Sequence, residues 1–404
     1  MSHTYVGSQP IYSRDLAIYA FQLLFRNSTE NRAGYTNGDR ATSDVIINTL
    51  TDIGLDRLVG SHRACINFTR NFIVGEYPIP NLTQRIIIEL QGDDIADDPL
   101  IINALHQLSR RGFILALSEK MYQQHFAGNR DFNYIVRFNP YKYTFSELKN
   151  QNTLIKQDKQ NVHTLVEKIE TNEMFSQCVE LGFDYYQGFF FCEPNIVKGR
   201  GIPANKLQLL RILGTLQDEN IDNKTLEEMI GTDVGLTFRL LRYANSSHLG
   251  LNTRVDSIQH AVSLLGWNTV KMITTLLVLS SVDDKPAEVL FFGLLRARMC
   301  ETLAAYVPVV DKNAAFTAGL LSILDIMLDA PMEDVLAEIP LSDALISALL
   351  NRRGKLGGLL DDAVYYIEHK PHLAANCGLK ADLLAEHYLN ALSWANTILP
   401  ALRD

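Results

Sequence analysis

Short apolar runs alternate with amphipathic stretches from the start of the chain to about residue 194. The apolar runs predict strands at Tyr5–Tyr12, Ala17–Phe25, Ala64–Thr69, Arg85–Leu90, Phe113–Ser118, Tyr134–Phe138, Thr164–Ile169 and Tyr186–Phe191. Helices are predicted between them, for example at Thr42–Ile53, Pro99–Arg110 and Asn172–Leu181. Repeated strand–helix units with continuous apolar strands indicate an α/β fold, and this number of strands suits a compact barrel. Because Ser13, Arg14 and Asp15 link the first two strands, we expect a hairpin and therefore an antiparallel start to an otherwise parallel barrel.

The pattern changes between Pro194 and Asn205, where Gly199, Gly201 and Pro203 punctuate a predicted loop. We therefore divide the chain into residues 1–198 and residues 199–404. The second part has no convincing strand, and its apolar residues follow helical spacing. Helical stripes run through Leu207–Leu216, Leu236–Ala244, Val289–Tyr306 and Ala314–Leu328, and another contains Ile258, Ala261, Val262 and Leu265. Asp256 and Gln259 resemble a capping box for the last of these helices, and Gly266 is expected to end it.

Composition narrows the class of protein. The 404 residues contain 47% hydrophobic and 21% charged residues, as expected for a globular protein, and carry a formal net charge of −9. That acidity argues against a nucleic-acid polymer as the partner. The five cysteines have no CxxC spacing, so neither a disulfide framework nor a zinc site is indicated. The N-terminus lacks an apolar core and no apolar stretch is long enough to cross a bilayer, so we expect a cytoplasmic protein without a membrane anchor.

The stretch from Val166 to Pro194 carries the strongest functional signal. Glu167 lies in one predicted strand and Gln187 at the end of the next, with a helix between them. Polar side chains at consecutive strand ends are typical of the active face of a (β/α) barrel. The sequence VEKIETNEMFSQCVELGFDYYQGFFFCEP also resembles the motif AEGVET…ELGxDYxQGYxFxxP of EAL-type cyclic di-GMP phosphodiesterases. This resemblance extends over almost the whole first domain and implies a TIM-like barrel of the EAL type.

The same resemblance implies where ligands would bind. The opening GSQPIYSRDLAIYAFQLLFR is similar to RQPIFDRDLxVxGYELLFR, and INF and IIIELQGD match further family motifs. Nucleotide contacts are implied at Gln9, Arg26 and Gln187. Residual metal ligands are implied at Asn67, Glu89, Glu119 and Glu167.

Several positions depart from the active pattern. Neutral residues replace glutamates at Gln22 and Gly92, the paired aspartates become Ser118 and Glu119, and the lysine and aspartate of IVKID become Arg137 and Asn139. Hydrolysis by two metals requires carboxylates that hold both ions about 4 Å apart. A neutral amide binds Mg²⁺ or Mn²⁺ poorly, and a permanently protonated arginine does not replace a lysine with a tunable pKa. We therefore expect no catalytic residues and no required cofactor. One cation could still bind among the remaining carboxylates, so Mg²⁺ or Mn²⁺ would serve any residual activity.

The second domain resembles the HDOD domain, a relative of HD hydrolases that lacks the His-Asp metal pair. DVGLTFRLLRYANSSHLGLNTRVDSIQHAVSLLGWNTVK and AFTAGLLSILDIMLDAPM carry this resemblance. An active HD enzyme would have His-Asp near Leu321–Ile323, where this chain has Ser322 and Ile323. An EAL barrel followed by an HDOD domain resembles bacterial signalling proteins of the YuxH type.

Together these features predict a regulatory protein of cyclic di-GMP signalling that is not an enzyme. Its barrel would be a nucleotide-sensing or protein-interaction platform coupled to the HDOD domain, with protein partners and cyclic di-GMP as a candidate ligand. The alternative is a weak metal-dependent phosphodiesterase that converts cyclic di-GMP to linear pGpG. A third reading is a scaffold barrel that binds no nucleotide.

Overall fold

The chain folds into two compact units, residues 1–193 and residues 194–404. The structure is a computed structural model that describes residues 5–26, 54–90, 98–128, 133–157, 161–188, 204–217, 223–246, 253–282, 285, 287–368, 374 and 376–403. The predicted helix Thr42–Ile53 lies outside these residues, as does almost all of the predicted loop Pro194–Asn205. The division at residue 198 therefore stays a prediction.

Eight strands of the first unit close into a barrel in sequence order. They are β1 (Tyr5–Ser13), β2 (Ile18–Arg26), β3 (Arg63–Phe68), β4 (Ile86–Leu90), β5 (Ile114–Ser118), β6 (Tyr134–Phe138), β7 (Val162–Ile169) and β8 (Tyr185–Gly188). β1 runs antiparallel to both β2 and β8, and every other neighbouring pair is parallel. The prediction of a barrel with an antiparallel first strand is confirmed.

Helices connect the parallel strands. They are α1 (Leu55–Val59), α2 (Arg70–Ile73), α3 (Pro99–Arg110), α4 (Glu119–Met121), α5 (Phe145–Gln157) and α6 (Asn172–Glu180), with a π-helical turn at Tyr122–Phe126 and a 3₁₀ turn at Pro140–Lys142. Local sequence sets their starts. The Asp98 side chain accepts a hydrogen bond from the Leu100 N–H at the start of α3, and the Thr171 hydroxyl accepts one from Met174 at the start of α6.

Two layers of side chains fill the barrel along its axis. The apolar layer takes one buried residue from each strand, namely Ile11, Ala20, Cys65, Ile87, Ala116, Ile135, Leu165 and Tyr185. Side chains of a strand alternate between its two faces, so the next inward position lies two residues away. Those positions are all polar, and we call them the polar ring: Gln9, Gln22, Asn67, Glu89, Ser118, Arg137, Glu167 and Gln187. The ring lies at the carboxyl ends of the parallel strands, where barrel enzymes build their sites.

All regular elements described in the second unit are helices, as predicted. They are α7 (Ala204–Gln217), α8 (Asn223–Thr232), α9 (Val234–Ala244), α10 (Ile258–Leu265), α11 (Trp267–Ser280), α12 (Ala287–Leu303), α13 (Lys312–Leu321), α14 (Leu324–Leu328), α15 (Met332–Ala337), α16 (Asp343–Asn351), α17 (Gly354–Ile367) and α18 (Ala381–Arg403), with a 3₁₀ turn at Ala304–Tyr306. α12 is buried along most of its length and packs against α13 and α18. Gly319 allows the close approach of α13, because a Cβ there would lie 2.6 Å from the Ala297 Cα.

Two local predictions in this unit need correction. The α10 N-cap is Ser257, whose hydroxyl accepts a hydrogen bond from the His260 N–H, so the capping box at Asp256 and Gln259 was wrong. The predicted stripe Ala314–Leu328 is two helices, because α13 ends at Leu321 and α14 begins at Leu324. The end of α10 at Gly266, with a φ of 80°, is as predicted. No helix within the described parts of the chain combines the length and apolarity needed to cross a bilayer.

Candidate functional site at the barrel mouth

A polar cleft of about 550 Å³ opens at the barrel mouth. Every member of the polar ring except Asn67 lines it. Strand ends and the loops and helices next to them contribute the remaining lining residues, which are Leu90, Glu119, Lys120, Met121, Asn139, Lys142, Tyr143, Lys168, Ile169, Glu170 and Gly188. The volume lies in the range typical of pockets for small molecules and nucleotides.

Arg137 is the centre of the cleft floor. Its Nη1 lies 2.7 Å from Glu89 Oε1, its Nε donates to Glu167 Oε1, and its Nη2 donates to Glu167 Oε2 at 3.4 Å. The same Nη1 donates to the Leu90 carbonyl oxygen at 3.4 Å. The guanidinium thus bridges two carboxylates from β4 and β7, and it is bidentate toward Glu167, a geometry that suits an arginine and not a lysine.

The other carboxylate oxygen of Glu89, Oε2, accepts hydrogen bonds from two further side chains. Gln22 Nε2 donates to Glu89 Oε2 at 2.7 Å, and the Cys65 thiol donates to the same oxygen at 3.4 Å. Gln187 Nε2 in turn donates to Gln22 Oε1 and, at 3.0 Å, to Gln9 Oε1. A continuous hydrogen-bonded network therefore runs through the ring from Gln9 to Glu167.

Burial sets the protonation behaviour of this floor. Glu89 is only 2% exposed, and burial raises the pKa of its carboxyl above the usual range, although Arg137 acts in the opposite direction. Burial alone would lower the pKa of Arg137, but the Glu89 and Glu167 carboxylates outweigh it and the net shift is upward. Burial and the nearby Glu89 charge raise the pKa of the Cys65 thiol well above its usual value. The arginine therefore remains a cation, and the cysteine remains a protonated, unreactive thiol.

Two altered positions of the predicted site serve as local helix caps. The Ser118 hydroxyl accepts a hydrogen bond from the Met121 N–H at 3.4 Å, and Asn139 Oδ1 accepts one from the Tyr141 N–H at 3.1 Å. Glu119 accepts a hydrogen bond from the Tyr143 hydroxyl. Ser118 and Glu119, which stand where the resembled family has paired aspartates, thus already accept hydrogen bonds from neighbouring residues.

The residues present do not fit a two-metal centre. The Glu89 and Glu167 carboxylates already bind a fixed cation, and Gln22 turns its amide N–H toward Glu89. Glu119 is tied to Tyr143, and Asn67 does not line the cleft. Across the residues that the structure describes, no three His, Cys, Asp or Glu side chains converge on one point. The residual metal set Asn67, Glu89, Glu119 and Glu167 stays a prediction.

Most of the sequence-predicted site residues come together here. Gln9, Gln22, Glu89, Ser118, Glu119, Arg137, Glu167 and Gln187 all line the cleft. Gly92 and the Arg26 side chain lie outside the described part of the structure. Sequence reasoning missed Cys65, Tyr143 and Lys168. Alternation from Asn67 indicates that Cys65 faces inward, and Lys168 stands where the resembled AEGVET motif has glycine, while Tyr143 follows its strand without such a signal.

Comparison with known proteins identifies a domain in the second part of the chain and two relatives of the whole chain. The HDOD domain family matches residues 202–350, so the recognition of an HDOD domain is confirmed. The chain is 28% identical to the uncharacterized protein YuxH of Bacillus subtilis over 98% of this chain and 99% of that protein. It is also 28% identical to the cyclic di-GMP phosphodiesterase CdgJ of Vibrio cholerae, over 89% of this chain and 84% of CdgJ.

Solved structures similar to the chain include EAL proteins. Klebsiella pneumoniae BlrP1, in complex with calcium and cyclic di-GMP, is 15% identical with a TM-score of 0.38, over 47% of this chain and 55% of that chain. An EAL domain protein from Listeria monocytogenes is 13% identical with a TM-score of 0.35, over 47% of this chain and 87% of that chain. The chain thus spans little more than half of the BlrP1 protein.

Proposed function

We propose that this protein is a regulatory component of cyclic di-GMP signalling whose barrel does not hydrolyse the nucleotide. A relative that covers most of the chain, CdgJ, is named a cyclic di-GMP phosphodiesterase, which suggests the signalling context. The absence of hydrolysis rests on one observation. The Arg137 guanidinium occupies the space between Glu89 and Glu167 that a divalent ion would require.

The physical reason is competition for the same carboxylate oxygens. A divalent ion would have to displace a guanidinium that makes bidentate contact with Glu167 and a 2.7 Å contact with Glu89. The displaced guanidinium and the bound metal ion would then be two positive charges close together in a floor that is largely removed from water. Two-metal activation of water requires carboxylate oxygens that are available to the ions, and here the contacts of Arg137 and Gln22 already engage both carboxylates.

The test is an assay of the purified full chain with cyclic di-GMP and excess Mg²⁺ or Mn²⁺, followed by chromatography of the products. We expect no linear pGpG above the level of a Glu167→Ala variant. Metal-dependent turnover that Glu167→Ala abolishes would establish the weak phosphodiesterase instead.

A repaired variant sharpens this test. Arg137→Lys combined with Gln22→Glu, Gly92→Glu, Ser118→Asp and Glu119→Asp restores the residue types of the active pattern at these five positions. We expect this variant to bind Mn²⁺ more tightly than the parent in a calorimetric titration, because the floor regains free carboxylates. A repaired protein that folds and shows the parent's Mn²⁺ affinity would contradict the assignment of these strand ends.

The helical unit fits an interaction role in this proposal. Its HDOD match covers residues 202–350, and Ser322 and Ile323 stand where a His-Asp pair would hold a metal. Protein partners in a signalling pathway are therefore the expected ligands of the helical unit. If the barrel binds no nucleotide in a calorimetric titration, it is a scaffold.

A further inference from the structure

Lys168 adopts a backbone conformation that a lysine rarely takes. Its φ is 57°, in the left-handed region that disfavours residues with a Cβ. The cause is a bulge in β7, because Val166 pairs with Tyr186 but Ile169 pairs with Gly188, which leaves one extra residue on β7. Bulges of this kind commonly redirect side chains beside functional sites.

Gly188 fixes this bulge in place. A Cβ at position 188 would lie 1.8 Å from the Ile169 carbonyl oxygen, so the two strands approach too closely for any side chain there. The backbone at Lys168 is therefore held by its surroundings. A strained residue that its surroundings hold in place is a reason to look for a function of its side chain.

Lys168 is one of three exposed lysines on the cleft, with Lys120 and Lys142, and we call these the lip lysines. Within the described residues, neither Lys120 nor Lys168 makes an ion pair or a hydrogen bond. Below them, Arg137 offsets one of the two charges of the Glu89 and Glu167 carboxylates, and Glu119 accepts a hydrogen bond from the neutral Tyr143 hydroxyl. The cleft is lined by four acidic and four basic side chains, although the whole chain carries a net charge of −9. The exposed charges among the lining residues are the three lip lysines and Glu170, so positive charge predominates at the lip.

We propose that Lys168, together with Lys120, anchors the phosphate groups of a nucleotide phosphodiester at this cleft without a metal ion. An exposed ammonium group pairs with a phosphate as a point charge, and it needs no metal to do so. In the floor, Arg137 offsets one of the carboxylate charges and so lowers the repulsion that bare carboxylates would exert on such an anion. This inference rests on the proposed function, since it supplies the way in which a non-hydrolytic barrel holds its nucleotide.

The experiment is a calorimetric titration of the full chain with cyclic di-GMP in the presence of EDTA. We expect metal-free binding that weakens as the salt concentration rises. Lys168→Gln should weaken it about tenfold, the loss of one charge-assisted contact. Lys168→Arg should keep the wild-type affinity. The matched control is Lys149→Gln, because Lys149 is an exposed lysine on α5 that does not line the cleft.

A second variant guards against misfolding. Lys168→Gly removes the amine and also relaxes the backbone, so it should fold and still weaken binding as Lys168→Gln does. The anchoring role of Lys168 would be contradicted if the wild type and both variants bound cyclic di-GMP equally well. It would also be contradicted if no binding occurred without metal, or if the wild type bound uncharged guanosine as tightly as cyclic di-GMP. Each of these results leaves the absence of hydrolysis standing, because that proposal fails only if linear product forms.

Discussion

The two units of this protein each contain an arginine where a resembled hydrolase would hold metal. In the barrel, Arg137 bridges Glu89 and Glu167. In the helical unit, Arg296 Nη1 donates to the Ser322 hydroxyl at 3.2 Å, at the position where an HD enzyme would carry its His-Asp pair. The Arg137 side chain is 18% exposed, whereas the Arg296 side chain is 5% exposed.

The pairing of the two arginines also differs. Arg137 has two carboxylates within close contact, while the Glu368 carboxylate lies 3.8 Å from Arg296 Nη2. Among the described atoms, Arg296 Nε has no hydrogen-bond partner. The two arginines thus differ in their surroundings, because Arg137 lines an open cleft whereas Arg296 is buried within its unit.

Removal of Arg137 gives the largest expected effect. Arg137→Met leaves two carboxylates facing each other in a largely buried floor, and we expect the free energy of unfolding to fall by about 3 kcal/mol. Urea unfolding at neutral pH measures this loss. Added Mn²⁺ should restore part of it, because the freed Glu89 and Glu167 oxygens can then bind a metal that the unfolded chain does not bind.

A neutralised variant is the control for that measurement. Glu89→Gln and Glu167→Gln combined with Arg137→Met remove both carboxylate charges along with the cation. This triple variant should therefore be more stable than Arg137→Met, and Mn²⁺ should not stabilise it. A triple variant as unstable as Arg137→Met would indicate that packing, and not charge, explains the loss.

Glu89 gives a smaller effect, which depends on pH. Because burial raises its folded pKa above the usual 4.5, the folded state holds a proton that the unfolded state has lost. The contribution of this carboxyl to stability is fully present below pH 4.5 and declines as pH rises through the folded value. We expect the wild type to lose stability relative to Glu89→Gln as the pH rises from 4.5 toward 7. Denaturant titrations of both proteins at these two pH values would show it, and a constant difference would contradict the shift.

Arg296 gives the smallest expected effect. Arg296→Met removes a buried cation that is poorly paired, and it also relieves repulsion on Arg352, whose pKa is lowered by burial and by Arg296. We expect a change of less than about 1 kcal/mol in the free energy of unfolding, in either direction, because an apolar side chain of similar length can fill the space. A loss of unfolding free energy as large as that of Arg137→Met would mean that the two arginines contribute equally to stability.

The sequence predicted the barrel, and it placed most of the candidate site residues at one end of it, for a physical reason. Strand alternation and motif order place Gln22, Glu89 and Arg137 at inward strand ends, and no side-chain detail is needed for that. The sequence could not predict the ion pairs of the site, because the contacts of Arg137 with Glu89 and Glu167 depend on barrel geometry across strands that are far apart in the chain. The bulge at Lys168 was also missed, since it follows from the pairing register of β7 and β8.

The helical unit shows the same limit on a local scale. Periodicity found α7, α9, α10 and α12, but it joined α13 to α14, because the break at Ser322 and Ile323 lies within a continuous apolar stripe. The N-cap moved by one residue for a similar reason, since Asp256 and Ser257 are both good capping residues and only backbone geometry decides between them.

The apolar layer and the polar ring of the barrel follow a single two-residue period, and this restricts how the protein can change during evolution. Deleting or inserting one residue within a strand would turn its ring residue outward and carry its core residue with it, so packing and chemistry would be lost in the same event. Point substitution leaves the period intact. Exchanges such as those that distinguish this ring from the resembled pattern, at Gln22, Ser118 and Arg137, each alter the chemistry of one strand end while its strand stays in register.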